Sequence, residues 1–592
     1  MLDRWPVRLS PLGVVLVPAG LLAWTIIAYG VNVPFWDQWV VGGLVVQAFD
    51  GTLSLRDLMA QQNESRLVFP RLLFLGLAYL TGYDVRYEMW GAFCLAGLVV
   101  YNVSRLGRLT LGGQPGRQVL PLLFASALIL SLGQWENWLW GIQLIVYVPI
   151  ACVTSIIALS YASLTVTTRF AVSALLATLS TFSYANGMVC WVIVLPVLML
   201  QTWADLKTKP WLVGCWVLGF AVNAGLYFWH YAAPPQHPSF TEALTTARAL
   251  GYFLALLGAP LSGGMKLNSL SQAIGVGGLL VALFVLVSGY VWRHRHESLV
   301  LYRTLGWLTL ASYTLISAGV TTLGRFGLGI ETALASRYGA FTFPLIVALV
   351  YLVPIGLDMQ SQARLPQAEP WMKRATIVLS LGLILLHLAT TRRSLALAES
   401  NWRTRLQGKG ALQFSSILPH ESLTRTMYPD LGALQRYAGD LDRHGLLAPG
   451  LRQSLHIGDH ELRQTAGRGA CGEFDLLERA GAGTYLARGW AILPQRRRPA
   501  DAVVLAYEAA PGSFTIFDLI VERTRRADLA RALRQRGYRH AGWEHALTLP
   551  QGGGRPLTLA AWAVDADTGQ LCRLHKTYAV DAQGTAMLAV EP

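Results

Sequence analysis

Charge is what this 592-residue chain has little of: Asp, Glu, Lys and Arg make up 14% of it, against 53% hydrophobic residues. That balance excludes an ordinary soluble domain. Cysteine is scarce too, six in all, and none stands where a thiol nucleophile would be expected. The apolar part has no glycine-rich nucleotide fingerprint and no DxD-like metal motif, which disfavours a nucleotide-activated substrate. The first apolar run, near residues 12–31, lacks a small-residue cleavage site and continues into Pro34 and Trp36. It is expected to be a retained membrane helix rather than a signal peptide.

Runs long enough to cross a bilayer recur from about residue 12 to about residue 391, and the remainder is rich in Arg, Asp and Gly. The net charge of +14 lies largely in short clusters between those runs, a placement that sets topology rather than one that binds nucleic acid. The clusters are "RLGRLTLGGQPGR" (105–117), "TTRF" (167–170), "DLKTKP" (205–210), "WRHRHE" (292–297) and "QARLPQAEPWMKR" (362–374). One arrangement puts all five in the cytoplasm. It has spans near 12–31, 88–104, 118–133, 143–163, 170–184, 187–204, 211–230, 272–291, 300–320, 336–355 and 374–391, about eleven helices with the N-terminus inside and the C-terminus outside. Letting "RLVFPRLLFLGLAYLTG" (66–82) and "ARALGYFLALLGAPLSG" (247–263) cross as well gives thirteen but turns the arginines of 105–117 outward. Both are therefore set as juxtamembrane or re-entrant segments.

With that topology, "FWDQW" (35–39), "QQNESR" (61–66), "GQWENWLWGIQ" (133–143), "SYANG" (183–187), "HYAAPPQHPSF" (230–240) and "GRFGLGIETALASRY" (324–338) all fall on the external face. Polar side chains near a bilayer are costly unless paired or used, so six such stretches at one face predict a site. It offers carboxylates (Asp37, Glu64, Glu136, Glu331) and arginines (Arg66, Arg71, Arg325, Arg337) among many Trp and Tyr rings. A sugar hydroxyl needs a positioned carboxylate to take its proton, a leaving phosphate needs cations that arginine supplies as a bidentate fork, and indole rings suit a sugar face. Each residue also has a plainer reading: Asp37 as a helix N-cap, Glu64 paired with a nearby arginine, and Trp135, Trp138 and Trp140 as interfacial anchors. His230 and His237 have metal-compatible spacing, but their proline and aromatic neighbours favour a loop, and no metal site is assigned.

A first external loop with an early Asp and a second acid further along, eleven to thirteen helices and an external C-terminal domain together resemble the GT-C superfamily. These are membrane glycosyltransferases that use polyprenyl-phosphate-linked sugars. The nearest branches are the aminoarabinose and protein O-mannosyl transferases, although Gln38 stands where the latter carry a second acid beside the first. The resemblance implies Asp37 as catalytic base and Glu64 as the second catalytic acid. Arg325, Arg337, Arg66 and Arg71 are then candidates for the donor phosphate. Trp36, Gln38, Trp39, Asn63, Trp135, Glu136, Asn137, Gln143 and Tyr338 are candidates for sugar or acceptor. It further implies a bacterial inner-membrane protein with a periplasmic site, a lipid-linked sugar as donor with no cofactor indicated and a divalent cation left open, and a glycan, lipid or protein acceptor such as a pilin. A pentose such as arabinofuranose is among the candidate sugars. A transporter or flippase would instead show internal repeats and helices broken near the midplane, and a non-catalytic assembly protein would tolerate loss of Asp37.

The chain is expected to divide into a membrane domain, 1–392, and a periplasmic domain, 393–592, with a helical linker to about 450 and a β-rich remainder. "TYLARGWAIL", "DAVVLAYE", "SFTIFDLIVE" and "LTLAAWAVD" read as strands separated by Gly and Pro turns, most economically a β-sandwich. Cys94, Cys152, Cys190 and Cys215 lie in apolar runs as small hydrophobes. Cys471 and Cys572 share the tail, where a disulfide fits an oxidising compartment.

Overall fold

The computed structural model describes residues 11–111, 115–200, 203–234, 247–262, 267–362, 369–462, 470–481, 483–550, 556–581 and 583–589. The chain forms two compact units, Met1–Gly30 with Leu53–Leu77 and Arg86–Glu399, and Val31–Thr52 with Ala78–Val85 and Ser400–Pro592. Both units are discontinuous along the chain. Two pieces of the first loop belong to the second unit, which a contiguous division does not capture.

The first unit is helical because apolar sequence in lipid must bond its backbone internally. Among the described residues, eight helices are long and apolar enough to cross a membrane: Arg86–Thr110, Arg117–Leu139, Gly141–Ser160, Trp211–Phe228, Leu270–Arg293, Ser298–Leu328, Ser336–Met359 and Leu381–Leu412. Their outward faces remain apolar, with Leu218, Val285, Leu286 and Leu385 exposed, as a lipid-facing surface requires. The chain is a polytopic helical membrane protein.

Three of the eleven expected spans correspond to shorter or interrupted helices among the described residues. Gly13–Tyr29 and Val166–Thr181 are short. The expected span 187–204 is broken into Ala185–Met188, Val189–Ile193 and Leu195–Leu200, with Pro196 near the last break. The chain reverses sharply before it: a Cβ on Gly187 would lie 1.7 Å from the Ser180 carbonyl oxygen, so only glycine fits. The two apolar stretches set aside as juxtamembrane are the helices Val68–Thr81 and Ala247–Ser262. The second runs antiparallel against Leu267–Arg293 with the backbones in contact, since a Cβ on Gly258 would sit 2.0 Å from the Ala273 oxygen and one on Gly277 would sit 1.9 Å from that of Leu254. In lipid, where tails compete equally for apolar side chains, such close approach is what holds helices together. A two-residue hairpin, β1 (Gln61–Gln62) and β2 (Ser65–Arg66), interrupts the helices in the first loop.

In the second unit the expected strands appear as β4 (Thr484–Leu493), β6 (Ala502–Ala510), β7 (Ser513–Ile520) and β9 (Leu557–Val564). With β3 (Gly472–Arg479), β5 (Arg498–Pro499) and β8 (Gly542–Thr548), and β10 (Leu571–Arg573), β11 (Tyr578–Val580) and β12 (Ala586–Leu588), they build two antiparallel sheets. One has the order β12-β11-β9-β6-β7 with β10 beside β9, the other β3-β4-β5 with β8 beside β4. Alternate residues point inward, so Val503, Leu505, Leu559 and Ala561 of one sheet share a core with Phe474, Tyr485, Ala487 and Trp543 of the other. This is the expected sandwich. Cys471 and Cys572 are bonded within it, closing a sequence separation of 101 residues.

The helix Gln38–Phe49 packs on Leu431–Arg443 in the same unit: a Cβ on Gly42 would lie 3.0 Å from Leu441 Cδ1, and one on Gly43 would lie 3.3 Å from the Tyr437 ring. Phe49 stacks on Tyr79 with centroids 4.6 Å apart, and the Tyr83 hydroxyl donates to the Gln38 carbonyl at 2.8 Å.

Two outcomes test this unit. Cys471→Ser with Cys572→Ser should lower its unfolding free energy by about 4–5 kcal/mol, the chain-entropy value for a loop of this length, seen as an earlier Trp-fluorescence transition that added reductant reproduces in the native chain. His545 Nε2 lies 3.1 Å from Asp518 Oδ2. The hydrogen bond from His545 to Asp518, with smaller contributions from the charges of Asp518 and Glu522, raises the histidine pKa against the opposing cost of burial. A raised histidine pKa stabilises the fold below the unfolded value of about 6.5 and stops doing so as pH rises through the folded value. The stability advantage of the native chain over His545→Asn, under about 1 kcal/mol for so exposed a pair, should therefore be present in mild acid and vanish in alkali.

Candidate active site

Glu64 follows the hairpin tip, where Asn63 takes a left-handed backbone, φ 49°, as asparagine tolerates. Its carboxylate meets Arg325 at the end of the helix Ser298–Arg325, with Nη2 2.7 Å from both oxygens. The hairpin is fastened around this pair. The Tyr227 hydroxyl donates to the Glu64 carbonyl at 2.5 Å, the Ala185 N–H to Ser65 Oγ at 3.0 Å, and the Gln61 amide to the Ala232 carbonyl at 2.6 Å.

A second carboxylate–arginine pair joins two other stretches of the first unit. Glu136, in the short helix Trp135–Leu139, accepts from the Ser336 hydroxyl at 2.7 Å, from the Arg337 backbone N–H at 3.1 Å and from Arg337 Nη1 at 3.1 Å. The Arg337 guanidinium also lies over the Tyr338 ring, 5.2 Å from its centroid. Tyrosines link the pairs. Tyr184 is within electrostatic reach of Tyr338, Arg325, Glu64 and Arg337, Tyr252 within reach of Tyr338, Arg325 and Arg337, and the Tyr252 hydroxyl is 3.2 Å from that of Thr332. Glu64, Arg325, Arg337 and Tyr338 are thus brought into one cluster with Tyr184 and Tyr252, which the sequence did not single out. Tyr184 stood in the polar stretch "SYANG", whereas Tyr252 gave a weak signal because a tyrosine in an apolar stretch looks like an interfacial anchor.

Several of the expected ligand residues are buried or direct their polar groups into the protein. Arg66 is buried, and its guanidinium donates to the Tyr227 and Met59 carbonyls, each at 2.6 Å, and to that of Trp229. Arg71, also buried, donates from Nη1 to the carbonyls of Asp57, Leu58 and Ala60. Both brace the loop backbone instead of offering a fork to phosphate. Asn137 is fully buried, donating to the Arg337 carbonyl at 3.1 Å and to Gln134 at 3.4 Å. Gln143 and Tyr338 are buried, as are Gln38 and Trp39 in the second unit, so packing takes up surface that a sugar would need. Asn63 and Trp36 are exposed, and Trp135 is half-buried.

Asp37 lies in the second unit and precedes the helix Gln38–Phe49, yet its side chain accepts no hydrogen bond from the first turn. Capping is therefore not its role. Trp36 before it has a left-handed backbone, φ 47°, a costly state for an aromatic residue. Its N–H donates to the Met427 carbonyl at 3.0 Å, and the Arg405 guanidinium covers the Phe35 ring at 3.7 Å. Tyr428 feels the Asp37 charge, although burial is the main reason its phenol pKa is raised. Among the described residues, no group of three His, Cys, Asp or Glu side chains could hold a metal ion. His230 takes a left-handed backbone, φ 50°, and His237 lies outside the described residues.

No family model and no curated protein matches the chain. Two solved structures are similar to it. ArnT from Cupriavidus metallidurans bound to undecaprenyl phosphate is 13% identical with a TM-score of 0.40, over 72% of this chain and 88% of that one. The oligosaccharyltransferase AglB from Archaeoglobus fulgidus, in complex with an inhibitory peptide and a dolichol-phosphate, is 11% identical with a TM-score of 0.37, over 71% and 59%. Likeness of this extent carries no argument about what the present chain binds or does.

Arg66→Ala should strand the carbonyls it serves, at about 1–3 kcal/mol for each buried acceptor left unpaired. A lower melting temperature and faster proteolysis within 60–66 are expected. An unchanged melting temperature with weaker phosphate binding would return Arg66 to the ligand site.

Proposed function

We propose that the chain is a membrane glycosyltransferase that moves a sugar from a polyprenyl-phosphate donor to an acceptor hydroxyl with inversion. The observation that carries this reading is the cluster in which Arg325 and Arg337, each steadied by a carboxylate, stand with Tyr184, Tyr252 and Tyr338 at the ends of apolar helices. Guanidinium groups there suit the oxygens of a phosphate carried by a lipid, because the charge is held in place before the ligand arrives.

Asp37 is the proposed base. As the acceptor oxygen attacks the anomeric carbon, its proton passes to the Asp37 carboxylate. The bond from that carbon to the phosphate oxygen breaks and the phosphate leaves, Arg325 and Arg337 being the cations proposed for its charge. One displacement at carbon inverts its configuration. The exposed Trp36 beside Asp37 is suited to a sugar face, and Glu64 keeps Arg325 in place. A bacterial inner membrane with the site on the periplasmic side belongs to the same proposal, and the bond between Cys471 and Cys572 supports an oxidising compartment for the second unit. The acceptor is proposed to be a surface glycan, lipid or protein.

The test is Asp37→Asn in membrane vesicles supplied with a polyprenyl-phosphate sugar. Loss of a general base is worth about 10²–10⁴ in rate, so transfer should fall by at least about 100-fold while donor binding persists. Full transfer by the variant would remove Asp37 as the base.

A further inference from the structure

Glu136 does more than neutralise Arg337. Its Oε1 accepts from Arg337 Nη1 at 3.1 Å, while Oε2 accepts from the Arg337 backbone N–H at 3.1 Å and from the Ser336 hydroxyl at 2.7 Å. The Ser336 oxygen in turn accepts from the Glu136 N–H at 3.2 Å, and Asn137 Nδ2 donates to the Arg337 carbonyl at 3.1 Å. Residue 337 is therefore gripped at its backbone N–H, its backbone carbonyl and one end of its guanidinium, by two neighbours 200 and 201 positions away. Gly339 completes the seam, since a Cβ there would lie 2.7 Å from the Gln134 side chain. The Arg337 side chain as a whole nevertheless keeps 35% of its surface exposed.

A pair built only for strength gains little by locking both backbone groups of its arginine. Locking them removes freedom that ligand binding would otherwise have to remove. It also fixes the direction in which the guanidinium is presented, which matters for a bidentate partner such as a phosphate oxyanion.

We infer that Glu136 is a positioning residue, which acts through Arg337 on the lipid-linked phosphate and makes no contact of its own with sugar or acceptor. The inference rests on the phosphate site proposed above and replaces the sugar contact expected of Glu136 from sequence. Ser336 belongs to the same device, because its hydroxyl holds the carboxylate oxygen that takes the Arg337 N–H.

The test measures binding of a short-chain polyprenyl phosphate to the full-length protein in detergent, for the native chain, Glu136→Gln, Arg337→Ala, their double variant and Ser336→Ala. Glu136→Gln should weaken binding about 10-fold and Ser336→Ala about 2–3-fold, the scale of a lost charge-assisted and a lost neutral hydrogen bond. The double variant should bind no more weakly than Arg337→Ala alone. In transfer assays, Glu136→Gln should raise KM for the donor and leave kcat within about two-fold, a split that simple loosening of the fold does not produce. Penalties that multiply in the double variant would show that Glu136 acts independently of Arg337 and would overturn the inference, as would native binding by Glu136→Gln. Binding that needs Arg337 but neither Glu136 nor Ser336 would overturn this inference and leave the phosphate site standing. A native chain that binds no polyprenyl phosphate would remove that site and this inference together.

Discussion

The ion pair of Glu64 and Arg325 is the contact on which the geometry of the first unit turns. It joins positions 261 apart in the chain, and both side chains are largely withdrawn from water. A carboxylate or a guanidinium in that setting is costly alone, so each requires the other. The requirement fixes the hairpin that bears Glu64, and the hairpin fixes several helix ends in turn through Tyr227, Ala185 and the carbonyls that Arg66 and Arg71 satisfy. The Glu136 and Arg337 clasp repeats the arrangement with a second loop, so a bundle held mostly by non-directional packing gains directional bonds where its helices end.

What was legible in the sequence was whatever depends on neighbours a few residues away. Alternation in "TYLARGWAIL" and "LTLAAWAVD" marked strands, and arginines at 325 and 337 in a polar stretch beside carboxylates marked the cluster. Partners far along the chain left less trace. The sequence shows that Arg66 and Arg71 are cations, not that loop carbonyls wait for them. Gln38 and Trp39 read as display residues beside Asp37, and their burial is clear only once the Gly42 seam of their helix meets Leu441. The tight reversal at Gly187, where a Cβ would meet the Ser180 carbonyl, also left no trace beyond the glycine itself.

The capping reading of Asp37 was settled by an absence of geometry rather than by composition. An aspartate before a helix ordinarily accepts from the first turn, but here the unusual backbone of Trp36 sets the approach to the helix and the Asp37 side chain is turned from that task. Strain of this kind persists only where surrounding structure enforces it. The hydrogen bond to Met427 and the packing of Arg405 on Phe35 supply that enforcement from residues nearly 400 positions later.

That distance bears on how the protein comes into being. Val31–Thr52 leaves the ribosome well before its packing partners in Ser400–Pro592. Until they arrive, the apolar face of Gln38–Phe49 lacks Leu441 and Tyr437, against which Gly42 and Gly43 pack. Long-range closure of this sort is slow relative to local helix formation. The segment that carries Asp37 therefore packs into its unit only after Ser400–Pro592 has been made, so a chain stopped before that point would present the helical bundle with Val31–Thr52 undocked.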